Sequence, residues 1–405
     1  MKDWPVFALR DISEIVAGIT LGRKTKETEL TEVPYMRVAN VKDGMLDFSE
    51  VKTVLAAARE IKKWALQDGD LLLTEGGDLD KLGRGACWRN QLSLCIHQNH
   101  IFRVRLPTDR YDPDFVSYQV GSAYGKAYFL AHAKKTTGIA SINQGVLGAF
   151  PLISPPLSEQ RQIAARLKAQ LAEVETARQA VRVQLLDAVL LRRRVVDTVF
   201  DDYQDWQPIS AIAKVQSGYA FKSTDFKTSG VRLLRNTNIL PGKVYWDDAV
   251  YLDGNEVDRY PGYALEQGDV LISLDRPLIS SGIKVARVSK NDLPALLLQR
   301  VGRFFLQQER ITPDFLFAFL QSSRFIKAIS GHDQSLGVPH ISPGQVEAVE
   351  LPRLSVDDQQ PIAARLKSQL AEVDILHAAL TEQQRGLDAL PQRLLDQAFD
   401  TKVQP

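Results

Sequence analysis

Apolar residues recur at 163, 167, 171, 174, 181, 185, 188, 195 and 199 in a stretch, 157–201, that holds neither glycine nor proline. Steps of three and four put these side chains on one face of an α-helix. Ala, Leu, Arg, Gln and Glu, all good helix formers, fill much of the rest. Ser158, Glu159 and Gln160, following Pro155-Pro156, mark the helix start. From Gln160 to Asp201 such a helix would run roughly 60 Å at 1.5 Å per residue. A second stripe, Ile362, Leu366, Leu370, Val373, Leu380, Leu387 and Leu394, lies between Val356 and Asp400. Pro361 suits its first turn. Gly386 departs from the first stripe, and Pro391 predicts a kink or interruption. A single long helix with one apolar stripe must bury it, and the simplest partner for each is the other. The pairing residues are Ile163, Leu167, Leu171 and Val174 on one helix, and Ile362, Leu366, Leu370 and Val373 on the other.

The two helices are copies. Ile163 to Glu175 and Ile362 to Asp374 agree at eleven of thirteen positions, displaced by 199. The same displacement, within one residue, relates distant phrases. Gly69-Asp70-Leu71-Leu72-Leu73-Thr74 matches Gly268-Asp269-Val270-Leu271-Ile272-Ser273, and Pro113-Asp114-Phe115 matches Pro313-Asp314-Phe315. Thr136 to Ile139 matches Ser335 to Val338; Leu9, Ile12, Ile15 and Gly18 match Ile209, Ile212, Val215 and Gly218. A period near 200 is too long for a solenoid and means two complete domains, each with an appended arm. The expected division is 1–156 and 203–353 for the globular parts, with helices at 157–202 and 354–405. The arms repeat closely and the globular parts loosely, so the arms share one job and the globular parts do related but different ones.

Within the globular parts, short apolar runs alternate with Gly, Asp and Asn turns. Strands are expected at Leu71–Leu73, Ile101–Val104, Val270–Ser273 and Arg303–Leu306, and helices at Asp114–Ala131 and Asp314–Ser330. The fold class is therefore α+β, with a curved or barrel-like sheet in each of two globular domains. Each domain is followed by a long helix, and the helices pair as an antiparallel coiled coil in a pseudo-two-fold repeat.

Composition narrows the class. The chain is 405 residues long, 44% hydrophobic and 24% charged, as a folded globular protein is. No run of about 18 apolar residues offers a membrane span, and the start lacks the apolar stretch of a signal peptide. A cytoplasmic protein with reduced Cys87 and Cys95 is expected. The net charge of +1 neither supports nor excludes a nucleic-acid partner, which needs a basic face and not a basic average.

The order of phrases carries a resemblance. Leu9-Arg10-Asp11-Ile12, Val16-Ala17-Gly18, the Gly-Asp-Leu-Leu phrase at 69–72, Thr137-Gly138-Ile139 and then Pro155 to Ala164 leading into a long helix occur in that order. The chain resembles the DNA-specificity subunits of type I restriction–modification enzymes over about 95% of its length, tandem organisation included. The second copy departs at Leu354 to Gln359 and at Pro391. The resemblance implies two target-recognition domains, each reading one half of a bipartite target in double-stranded DNA. It implies that the helices set the spacing and dock two methyltransferase subunits, with motor and nuclease subunits joining for restriction. It also implies that this chain is not itself an enzyme and binds no cofactor. S-adenosylmethionine, ATP and Mg would be used by the partner subunits.

The residues agree that chemistry lies elsewhere. Ser154-Pro155-Pro156-Leu157 lacks the polar and aromatic partners of an adenine-methyltransferase corner. Neither a Gly-x-Gly-x-x-Gly turn nor a phosphate loop ending in Lys-Ser/Thr occurs. The glycine-rich run from Gly76 to Gly85 reads as a flexible loop. Cys87, Cys95, His97 and His100 are close in sequence but lack paired ligand spacing and are not repeated, so no metal site and no nucleophile are expected.

DNA contacts call for Lys and Arg on phosphates and for Arg, Asn, Gln, Ser and Thr on base edges. The candidates are Thr20, Arg23, Lys24, Arg37, Asn40, Lys81, Arg84, Lys134 and Lys135 in the first unit. In the second they are Lys222, Arg235, Asn236, Asn238, Arg276, Lys284, His332 and Gln334. Each taken singly also fits a solvated surface residue. Two other classes suit the pattern: a tandem coiled-coil scaffold that binds proteins only, and a nuclease with an unrecognised site.

Overall fold

The computed structural model describes residues 4–24, 27–77, 82–136, 139–330 and 340–399. The chain divides into two compact units. One is Met1–Val181 with Gln383–Pro405; the other is Arg182–Glu382.

In the first unit a four-stranded antiparallel sheet has the order Glu14–Ala17, Ile101–Arg105, Leu71–Thr74, Gly85–Cys87. Beside it, Thr31–Met36 pairs antiparallel with Lys52–Ala56 and parallel with Ile96–His97. In the second unit the same order recurs as Ala213–Ser217, Val301–Leu306, Val270–Ser273, Val285–Arg287. Its companion sheet places Val231–Leu234 between Val250–Leu252 and Ala295–Leu297 with the same directions. The repeat is thus a repeat of topology. Of the curved or barrel-like sheet expected, the closed form does not occur among the described residues: the strands form sheets of two to four. The central strand of each larger sheet is buried on both faces, which is why it reads as a continuous apolar run, LLLT and VLIS.

Gly18 and Gly218 hold equivalent places. A Cβ on Gly18 would lie 1.9 Å from the carbonyl oxygen of His97, and one on Gly218 would lie 2.3 Å from that of Leu298. The close approach of two backbones admits glycine alone. Gly76–Gly77 and Gly85–Cys87 are strands, so the expected flexible loop narrows to the residues between them, of which 78–81 lie outside the described set.

Each expected helix of the globular parts is two helices. Pro113–Gly121 is followed by Ala123–His132, and Pro313–Leu320 by Ser323–Ser330. A long-helix carboxylate makes each break. The Ala123 N–H donates to Asp396 Oδ1 at 2.7 Å, and the Ser323 N–H to Asp197 Oδ1 at 2.7 Å. A negative group at the first turn satisfies an orphan donor and favours a new helix start there.

The long helices are Leu157–Asp197, the central helix, and Val356–Phe399, the distal helix. The distal helix runs unbroken through Gly386 and Pro391, against expectation. Proline there removes one backbone bond, but Leu394, Leu395 and Phe399 pack into the first core, and Gln392 accepts a 2.8 Å bond from Lys126 Nζ. Tertiary packing holds what propensity would break.

Within each unit the helices meet antiparallel. In the first, Arg178 pairs with Asp388 at 3.1 Å, while Ile163, Ala164 and Leu167 share a core with Leu394, Leu395, Ala398 and Phe399. In the second, Arg192 pairs with Asp374 at 3.3 Å, while Val196, Val199 and Phe200 share a core with Ile362, Ala363, Leu366 and Leu370. Leu167, Val174, Leu366 and Val373 are buried; Ile163, Leu171, Ile362 and Leu370 are partly so. These residues also pack on the globular part beside them, Leu167 in the cluster of Phe115 and Leu366 in that of Phe315. Phe399 meets the Phe115 ring at 5.4 Å, and Phe200 meets Phe315 at 5.6 Å and Phe319 at 5.4 Å. The last turns of the distal helix therefore belong to the core of the first unit.

Candidate nucleic-acid interface

Several candidate residues form a framework. Arg37 and Asn40 flank a 3-10 turn in which Asn40 is buried; its Nδ2 donates to the carbonyls of Asp47 at 2.8 Å and Glu50 at 2.9 Å. The Arg37 N–H donates back to Asn40 Oδ1 at 2.9 Å, and the Arg37 guanidinium pairs with Glu50 at 2.7 Å. Arg235 and Asn238 repeat this. Asn238 Nδ2 donates to the Tyr245 carbonyl at 3.0 Å, and Arg235 pairs with Asp248 at 2.7 Å. Arg23 is bound by both carboxylate oxygens of Glu60, its Nε at 2.7 Å from Oε1. That hydrogen bond chiefly holds the Glu60 carboxyl down to about 2.

Other candidates face solvent. Thr20, Lys24 and Lys222 are exposed, and so are Lys134 and Lys135 on a strand that pairs with Ile139–Ser141, itself paired with Gly76–Gly77. Arg84 lies 3.7 Å from Asp43. Lys81, His332 and Gln334 lie outside the described residues.

A polar cluster of the second unit lies where one strand of its larger sheet ends and another begins. Asp275, just past Val270–Ser273, is nearly buried. Its Oδ2 accepts from Arg300 Nη1 at 3.0 Å and from Asn236 Nδ2 at 3.2 Å, and its Oδ1 lies 3.2 Å from His340 Nδ1. Lys284 is buried nearby, and burial lowers its pKa against the pull of Asp275. Arg276 and Arg300 hold left-handed backbone, with φ of +46° and +67°. Non-glycine residues there are uncommon and mark functional or strained turns. Asn236, Arg276 and Lys284 were sequence candidates. Asp275, Arg300 and His340 were not: the residues are 25 and 65 positions apart, with no periodicity to join them.

The first unit has the same backbone at this place. The Glu75 N–H donates to His100 O and the Ile142 N–H to Glu75 O; the Leu274 N–H donates to Arg300 O and the Ile341 N–H to Leu274 O. Glu75 thus corresponds to Leu274 and His100 to Arg300. Here His100 Nδ1 lies 2.6 Å from Glu75 Oε2, with both groups partly exposed.

Cys95 and His97 are buried and Cys87 is partly so. Burial pushes the Cys95 thiol up to about 12 and raises Cys87 further. His97 is fully buried between the carbonyls of Trp64 and Val16, each 3.2 Å away, and burial pulls its pKa down to about 4. Among the described residues no group of three ligating side chains could hold a metal ion, and no helix is long and apolar enough to cross a membrane.

Comparison with known proteins gives a consistent set. A family model described as the type I restriction modification DNA specificity domain matches residues 1–181. The type I restriction enzyme MjaVIII specificity subunit of Methanocaldococcus jannaschii is 26% identical over 388 residues, covering 91% of this chain and 86% of that protein. The EcoAI specificity subunit of Escherichia coli is 41% identical over 162 residues, 40% of this chain and 27% of that one. The fold is that of the HsdS subunit from Thermoanaerobacter tengcongensis, with a TM-score of 0.61 at 18% identity over 99% of this chain and 98% of that one. It is also that of a chain from a structural study of assembly and conformational transition in the type I R-M system, with a TM-score of 0.75 at 17% identity and 98% coverage of both.

Proposed function

We propose that the chain is a DNA-specificity subunit of a type I restriction–modification enzyme, each of its units reading one half of a bipartite target in double-stranded DNA. It is a non-catalytic subunit of a methyltransferase and endonuclease assembly. The observation that carries the reading is a shared frame with unlike faces. Two sheets of the same strand order, each gripped by an equivalent glutamine near a long-helix start, present Glu75 and His100 in one unit and Asp275, Arg300, His340 and Asn236 in the other. A pair of readers for two different half-sites needs that combination: the same docking on the duplex, different chemistry at the base edges.

The long helices supply the partner surface. Val183, Leu186 and Leu190, at steps of three and four on the central helix, are exposed, and so are Ile375 and Leu376 on the distal helix. An apolar stripe at this spacing on an already paired helix suits a protein partner, here the methyltransferase subunits. Motor and nuclease subunits complete the assembly for restriction. S-adenosylmethionine, ATP and Mg act on those partners, in the cytoplasm, and this chain binds none of them.

Methylation mapping of the host genome, with and without this gene, tests the reading. A bipartite motif that vanishes with the gene is expected; an unchanged methylation pattern would overturn it. Filter binding of the chain with its methyltransferase partner should weaken steeply as salt rises, because phosphate contacts release counterions.

A further inference from the structure

We infer that the residue at the head of the second strand in each larger sheet is its unit's base-reading side chain: Arg300, held by Asp275, for a guanine in one half-site, and His100, held by Glu75, in the other. The inference rests on the DNA-specificity reading and adds the residues that deliver it.

Three observations lead to Arg300. First, its guanidinium is half-exposed, at 57%, while its carboxylate partner is 12% exposed. A nearly buried acid grips Nη1 of a planar fork, and that is the guanidinium's single hydrogen bond among the described residues. Arginine presented in this way matches the paired O6 and N7 acceptors of guanine in the major groove. Second, the carboxylate argues against a phosphate contact. A negative charge 3.0 Å from the guanidinium weakens attraction for a phosphate and leaves hydrogen bonding to a neutral base edge intact. Third, Asp275 is over-provided with donors and yet not satisfied. Arg300, Asn236, His340 and Lys284 lie about it, but among the described residues its buried Oδ1 has no well-formed hydrogen bond, and Arg276 and Arg300 hold left-handed backbone. Such an arrangement stores its strain and polarity for a ligand.

The sister unit repeats the device with other parts. His100 occupies the place of Arg300, but its carboxylate comes from the position of Leu274, while the position of Asp275 is Gly76. The backbone is conserved and the donor, the acid and their geometry all differ. Packing alone would favour repeating the same pair, as it does for the buried Asn40 and Asn238.

The test uses the chain assembled with its methyltransferase subunits and duplex oligonucleotides carrying the mapped target, with every base pair of both half-sites substituted in turn. Arg300→Ala should lose about tenfold or more of the discrimination at one G·C pair in one half-site, with every position of the other half-site unchanged. His100→Ala should lose discrimination in the other half-site only. Arg300→Lys keeps the charge without the fork; it should hold overall affinity and lose the same base pair. Asp275→Asn is the positioning variant, expected to lose that discrimination while binding non-specific duplex at least as tightly as wild type, since a negative charge has gone. Uniform weakening on all duplexes by Arg300→Ala, or full retention of discrimination by Arg300→Lys, would overturn the inference. A wild-type assembly with no bipartite preference would instead overturn the specificity reading beneath it.

Discussion

His97 and Leu297 stand at the same place in two copies of one sheet, both fully buried on a strand parallel to its neighbour. One is a polar ring between two carbonyls, the other an aliphatic side chain. The frame around them is held by near-identical devices. Gln160 accepts from the Asp112 N–H at 2.9 Å and donates to the Pro155 carbonyl at 2.8 Å; Gln359 accepts from the Thr312 N–H at 2.8 Å and donates to the Arg310 carbonyl at 2.9 Å. The copies have drifted where a side chain serves its own unit alone and have stayed fixed where the long helix grips the globular part. Conservation between copies therefore marks the junction, and divergence marks the reader and its local support.

Breaking the junction should cost most, and equally, in the two units. Phe399→Ala should destabilise the first unit and Phe200→Ala the second by about 3–5 kcal/mol each, read by hydrogen exchange unit by unit. Loss of protection in the second unit from Phe399→Ala would break the assignment of the distal helix end. Acid should separate the copies. The folded pKa of His97 near 4 lies below the usual value for histidine, so the unfolded chain takes up a proton that the folded one refuses. Its contribution is complete above about pH 6.5 and is lost as pH falls towards 4, by up to about 3 kcal/mol. The first unit alone should loosen over that window, and His97→Leu should remove the dependence. Gln160→Ala and Gln359→Ala each strand a part-buried N–H and should cost about 1–3 kcal/mol in their own units; unequal losses in thermal melting would blunt the comparison. Asp396→Ala and Asp197→Ala, each removing the carboxylate at a helix start, should cost about 1 kcal/mol apiece.

The repeat, the two long helices and their antiparallel pairing were legible because helical periodicity and near-identity are local signals. The small sheets and the split helices were not. The breaks at Ser122 and Gln321-Ser322 depend on Asp396 and Asp197, which lie far away in sequence. The interface was half legible. Arg37 with Asn40 and Arg235 with Asn238 drew attention as polar loop residues, yet their recurrence in both copies, Arg-x-x-Asn each time, is the signal of a shared turn. Readers of different half-sites should differ between copies, as His100 and Arg300 do. That criterion was available in the sequence, but the carboxylates that orient these two residues come from non-equivalent positions that only the fold brings beside them.

The seating of Phe399 against Phe115 has a consequence for how the protein is made. The globular part of the first unit leaves the ribosome with the face that awaits Leu394, Leu395 and Phe399 still bare. At about 5–20 residues per second, translation of the intervening second unit leaves that face open for roughly ten to fifty seconds. The globular part of the first unit is thus closed by helix turns translated only after the whole second unit. A chain stopped short by a nonsense codon or by early cleavage would display an unfinished apolar surface to chaperones and proteases, so that a lone first reader is marked for disposal before it can address DNA.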